Sequence, residues 1–178
     1  MDQIIEEGFT RLTETMKELG DRKEELDSAL RSDLSGLLSR MATLATPLVG
    51  KLGNQFLNKS KQDGKGELYD TIYYDEKMVI IGRTDDPAPF RPDDMTKSVQ
   101  KQFCVLTEGG TIAELMYSDD GFIIDSYLNQ LTPEEAIELY GLELLYMLYR
   151  ALYEYANMEE EFVKALEKTL AFIQVKEE

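Results

Sequence analysis

The chain has 178 residues, 35 acidic against 19 basic side chains, a net charge of −16, one cysteine and no histidine. A field of that sign repels phosphate backbones and anionic lipid surfaces, so neither nucleic acid nor a membrane surface is expected as a partner. Without imidazole there is no His-based triad and no Cys/His zinc site, and a lone cysteine excludes an internal disulfide.

An apolar fraction of 43% and a charged fraction of 30% are those of a globular protein, and the length suits one domain with an appendage. The opening Met-Asp-Gln-Ile-Ile-Glu-Glu lacks the basic start and apolar core of a signal peptide. No run reaches the roughly 18 apolar residues of a membrane span. The cytoplasm is the expected location.

Residues 1–58 read as a helical arm. Apolar side chains recur at Ile5, Phe9, Leu12, Met16, Leu19, Leu26 and Leu30 in steps of three and four, with Lys23 in the one missing step. After a four-residue stutter the pattern resumes at Leu34 and runs through Leu37, Met41, Leu44, Leu48 and Leu52. Such a narrow stripe is the seam of a coiled coil or of a helical hairpin. The hairpin would fold back at Gly20, where Asp21 and Glu24 have the spacing of a capping box, and Thr46-Pro47 offers a second break. In the coiled-coil reading the seven apolar residues Ile5 to Leu30 carry self-association, most simply as a homodimer. With Phe9 and Met16 at a positions of a parallel pair, Arg22 falls at g and Asp27 at the following e, the geometry of an interchain ion pair.

Residues 59–66 are polar and rich in glycine and lysine, and read as a linker; with Lys51 they form the one basic patch of the chain. Residues 67–178 then read as an α+β domain. Leu68–Tyr74 and Met78–Gly82 are predicted strands, followed by Phe103–Thr107, Thr111–Tyr117 and Phe122–Asp125, with Asp120-Gly121 as a hairpin turn. Short connections imply an antiparallel sheet of five strands. Thr132-Pro133-Glu134-Glu135 supplies an N-cap, a proline at the first helical position and an acid three residues after the cap. From there one helix is expected to Tyr155 and a second from Met158 to Gln174, both packed on the sheet. Between Ala136 and Ala156 the polar residues form only a thin stripe, so that helix should be covered on more than one side.

The chemical inventory is sparse. Cys104, within Phe-Cys-Val-Leu, reads as a buried structural thiol. The acidic pairs Asp85-Asp86, Asp93-Asp94 and Asp119-Asp120 lack the spacing that converges oxygens on a cation, and Asp119-Asp120-Gly121 is accounted for by turn chemistry. No catalytic, cofactor-binding or metal-binding residue is assigned, and no cofactor is expected. The tyrosines Tyr69, Tyr73 and Tyr74, and the helical set Tyr146, Tyr149 and Tyr153, read as packing rather than as a stacking platform. The excursion 84–98 holds Pro87, Pro89, Pro92 and the pair Phe90-Arg91. Two readings stand: a stiff docking loop with Phe90 and Arg91 as partner-binding residues, or a crossover with Phe90 buried.

From residue 67 the order of strand, strand, excursion, three strands and two helices is similar to that of longin and profilin-like domains. With the preceding helix included, it also resembles roadblock-type domains. The resemblance implies a partner-binding platform. The expected function is a non-enzymatic interaction or scaffolding module that self-associates through its N-terminal helices and binds a further protein partner. A small-ligand or regulatory sensor and a carboxylate- or metal-dependent enzyme are the alternatives.

Overall fold

A computed structural model of the chain describes residues 2–84, 94 and 96–175, with side chains between residues 7 and 173. Helix α1 spans Asp2–Leu52 without a break, so the hairpin reading of the arm falls. Gly20 and its would-be capping box are carried through as helix, and Pro47 lies inside it. A mid-helix proline costs roughly 3 kcal/mol. Here Ala45 and Val49 on either side are fully buried against the rest of the protein, and that burial holds the helix past the proline.

The helix ends at Leu52, short of the arm's expected end at residue 58. The Gly53 N–H closes on the Val49 carbonyl at 2.7 Å, and Lys77 Nζ reaches the Gly50 carbonyl at 2.9 Å, placing a cation at the helix C-terminus. A Cβ at Gly53 would lie 2.7 Å from the Val49 oxygen and 3.0 Å from that of Met78. Only glycine lets the chain turn so sharply from helix into sheet.

Beyond this turn the chain forms strand β1, Asn54–Gln62, and not a helix end and linker. Its lysine-rich sequence becomes a strand because both of its edges are paired, to residues 68–78 on one side and to residues 123–125 on the other. Ser60 is fully buried, with its hydroxyl against the Tyr69 carbonyl and Thr71 Oγ1, while Lys61 points out to an ion pair with Asp70. The two strands expected within 68–82 are one, β2, Leu68–Thr84. Its first half pairs with β1 and its second half with β3, Lys101–Thr107, so one long strand spans two neighbours. Register shifts along β1 and a positive φ at Asp70 bend it, as closure of a small barrel requires. Strands β4, Ile112–Asp119, and β5, Ile123–Gln130, complete an antiparallel barrel in the order β1-β2-β3-β4-β5, joined by β1 to β5. The five-stranded antiparallel sheet of the α+β expectation is therefore present and closed on itself.

Alternation along the strands makes two cores. Met78, Val105, Ala113 and Leu115 fill the barrel, packed by Phe56, Phe103, Tyr117 and Leu128. The outward-facing Val79, Ile81, Cys104, Leu106 and Ile112 meet Leu38, Ala42, Ala45 and Val49 of α1. The expected N-cap opens helix α2, Pro133–Tyr140: Thr132 accepts from the Glu135 N–H, and Glu135 reaches back to the Thr132 N–H. Gly141, at φ +71°, ends it. Helix α3 then runs unbroken from Glu143 to Val175, so the break expected near residue 157 lies instead at Gly141. Among the described side chains of α3, only Leu144 and Leu148 are fully buried. A Cβ at Gly82 would lie 2.6 Å from Leu144 Cδ2, so the glycine admits α3 close to the sheet.

Candidate functional site

Three places could carry function: a polar cluster between sheet and helices, the mouth of the barrel, and the helical segments that extend beyond the core. At the first, Tyr140 OH donates to Glu114 Oε1 at 2.9 Å, and Gln102 Nε2 donates to the same oxygen and lies 3.2 Å from Tyr140 OH. Glu114 and Gln102 are buried, and the cluster ties β3, β4 and the end of α2 together. Cys104, the strand partner of Glu114, is fully buried; burial, with the Glu114 charge beside it, pushes its thiol up to about 12. That is a thiol without nucleophilic character at neutral pH. Burial also holds the Tyr140 phenol well above its ordinary range.

The barrel mouth is a cavity of about 340 Å³ lined by Tyr74, Glu76, Met78, Thr107, Ala113 and Leu128 among others. Three of its polar groups are turned to local bonds: Thr107 Oγ1 accepts from the Thr111 N–H, Glu76 from the Gly109 N–H, and Tyr74 OH pairs with Ser126 Oγ at 2.8 Å. Among the described residues no three acidic or thiol groups meet as a metal site. Asp119 and Asp120 are turn acceptors: Asp120 Oδ1 takes the Ile123 and Phe122 N–H groups, which hold its carboxyl below the usual range. Asp85, Asp86 and Asp93, and with them the docking candidates Phe90 and Arg91, lie outside the described residues.

The third place is different in kind. Phe9, Leu12, Met16, Leu19, Leu26 and Leu30 are between 55 and 70% exposed, on a helix whose buried side chains, among those described, begin at Ser35. Ile5 lies on the same helix, its side chain outside the described set. Four of the six, Leu12, Leu19, Leu26 and Leu30, do not prolong the core face of α1, whereas Met16 lies five turns before Leu34 and Phe9 ten turns before Ala45, in line with that face. Leu37 and Leu44 each precede a fully buried residue, Leu38 and Ala45, by one position, or about 100° around the helix. Leu44 is 77% exposed. Leu12, Leu19 and Leu26, then Leu30, Leu37 and Leu44, recur every seven residues on that outer side. The line of the N-terminal half that points toward α2 is polar instead: Glu24, Asp27 and Arg31 border a groove of about 710 Å³ shared with Glu134 and Glu138, and Arg31 meets Glu138 at 3.3 Å. Leu19, Leu26 and Leu30 border a shallower apolar hollow of about 340 Å³ with Arg22, Lys23 and Asp27 at its rim. The structure thus gathers six of the seven arm residues singled out from the sequence on one open surface, flanked by the two charges expected at g and e.

A second open stripe has no counterpart among the sequence expectations. Met158, Phe162, Val163, Leu166, Leu170 and Ile173 of α3 are all exposed. Phe162 lies 18 residues, five helical turns, beyond Leu144, and Leu166 the same distance beyond Leu148. The tail therefore repeats the core face of its own helix. Tyr146, Tyr149 and Tyr153 are exposed as well, the last two stacked at 6.1 Å. The expectation that this helix is covered on several sides holds within the chain only for its first turns. No helix among the described residues is long and apolar enough to cross a membrane. Compared with protein-family models, curated proteins and solved structures, the chain matches none.

Proposed function

We propose that this protein is a non-enzymatic assembly module: the barrel with its packed helices is a rigid base, and α1 is the element through which copies associate. One observation carries this reading. Six large apolar side chains in heptad-like spacing stand more than half open on an unbroken helix, and four of them, Leu12, Leu19, Leu26 and Leu30, lie about a quarter turn away from the face that α1 uses to pack on its own barrel. Such a stripe contributes nothing to the monomer and is the seam chemistry of paired helices. Lys23 in the seam supports a discrete assembly over unrestricted aggregation, because a polar seam residue penalises alternative registers. Among the described residues, the thiol, the Asp119-Asp120 pair and the barrel mouth bring together no set of reactive groups that would favour an enzyme or sensor reading.

Charging the seam tests the proposal. Leu19→Glu with Leu26→Glu changes two side chains that are already more than half exposed. Circular dichroism should be unchanged, while light scattering should show the mass per particle falling to that of one chain. A particle mass that does not respond to the double variant refutes the assignment of α1.

A further inference from the structure

The exposed tail of α3 is not accounted for by the α1 seam. Its apolar stripe, from Met158 to Ile173, is 47–60% exposed at its six positions and runs for roughly 24 Å at 1.5 Å per residue. It extends in line a face whose first turns, at Leu144 and Leu148, lie in the same core as Leu38 and Ala42 of α1. Within one chain the tail stripe and the α1 stripe do not cover each other, since both stand open.

We infer that α3's tail is the second half of the assembly surface, and that its occupant is the N-terminal half of α1 from a second copy. The inference deepens the proposal that α1 mediates self-association, and rests on it. Two copies would each lay an α1 between the α1 and α3 of the other, giving a bundle of four helices whose apolar stripes face inward. Continuity is the first argument: α1 belongs to the core that covers the start of this α3 face, so a second α1 presents matching chemistry to its continuation. Area is the second. An exposed aliphatic side chain of this kind offers on the order of 100 Å². The α1 stripe from Phe9 to Leu30 then supplies roughly 600 Å² per copy, short of the ~800 Å² per partner of a standard stable interface; adding the α3 tail brings it to about 1,200 Å². Charge is the third. Arg22 and Lys23 are the one adjacent pair of basic residues on the described part of α1, and Glu159, Glu160 and Glu161 are the densest acidic run on α3, one turn before Phe162. A pairing of two α3 tails in parallel would instead set that acidic run against itself.

Cross-linking between isotopically distinct copies tests this on the full chain. Labelled and unlabelled protein are mixed, treated with a lysine-reactive reagent and digested. The expected result is mixed-label links from Lys17 or Lys23 of α1 to Lys164 or Lys168 of α3. Phe162→Glu with Leu166→Glu should weaken association at least 100-fold without changing helix content, and Leu166→Ala should weaken it by a smaller factor if glutamate disturbs the helix itself. Mixed-label α1–α1 links alone, with α3 variants as tightly associated as the parent, would overturn the inference and leave the α1 reading standing. Links from α1 to α3 found only within one copy would overturn it too. A parent chain that is monomeric would remove both.

Discussion

Leu26→Ala separates assembly from folding. Leu26 is 60% exposed and touches none of the buried core, whereas Leu38, twelve residues on in the same helix, is fully buried between α1 and the barrel. Alanine removes three carbons, worth about 0.8 kcal/mol each when fully transferred from water. Scaled by the exposed fraction, the loss on association is roughly 1.5 kcal/mol per copy, or about 3 kcal/mol for a symmetric pair, a 100- to 200-fold increase in Kd. Folding should be unaffected, because alanine is at least as good a helix former as leucine. Leu38→Ala should do the opposite, costing about 2–5 kcal/mol of unfolding free energy through the cavity it leaves. Sedimentation equilibrium over a concentration series gives Kd, and urea titration at the dilute end gives the unfolding free energy. If Leu26→Ala lowers the unfolding midpoint as far as Leu38→Ala does, the stripe is core and the assembly argument fails. If neither Kd nor the midpoint moves, the residue has no role in either.

Deleting residues 1–31 should abolish association yet keep the barrel folded, since Ser35 is the first buried side chain among those described in α1 and the Arg31–Glu138 pair is exposed; near-ultraviolet circular dichroism and a thermal melt check this, and a melt lost altogether would contradict it. Cys104 supplies a pH signature. Its thiol stays protonated to about pH 12 in the folded protein, while in the unfolded chain it ionises near pH 8.5. Above the unfolded value the unfolded state therefore binds fewer protons, and stability falls between about pH 9 and 12, by up to ~1.4 kcal/mol per pH unit. Cys104→Ala should flatten the pH 9–10 part of that slope in urea titrations; an unchanged slope would show that the thiol does not contribute to it.

The parts of the fold legible in the sequence are those fixed locally. The capping box at Thr132, the turn at Asp120-Gly121 and the stripe of α1 each need only a few neighbouring residues, and each is present. Strand β1 is not legible, because Asn54, Gln55, Lys59, Lys61 and Gln62 have no strand preference of their own and are held by ladders on both sides. Barrel closure depends on the contact between Lys59 and Asp125, far apart in sequence, and no local pattern announces it. Asp75-Glu76-Lys77 resembles a turn because three consecutive charged residues suggest solvent; Asp75 and Glu76 are exposed at the mouth of the barrel and Lys77 reaches the end of α1, while the strand continues through them. The α3 stripe is legible in retrospect: the 18-residue spacing of Leu144 to Phe162 and Leu148 to Leu166 already places the tail on the core face. Gly141, not the Ala-Asn-Met stretch near residue 157, ends the preceding helix because it alone takes the positive φ there.

The most direct test of the central claim is the solution mass of the unaltered full chain, measured by sedimentation velocity at tens of micromolar and again after extensive dilution. A module that assembles through α1 should sediment at twice 20.4 kDa when concentrated and dissociate on dilution. A single species of 20.4 kDa at every concentration would contradict the account.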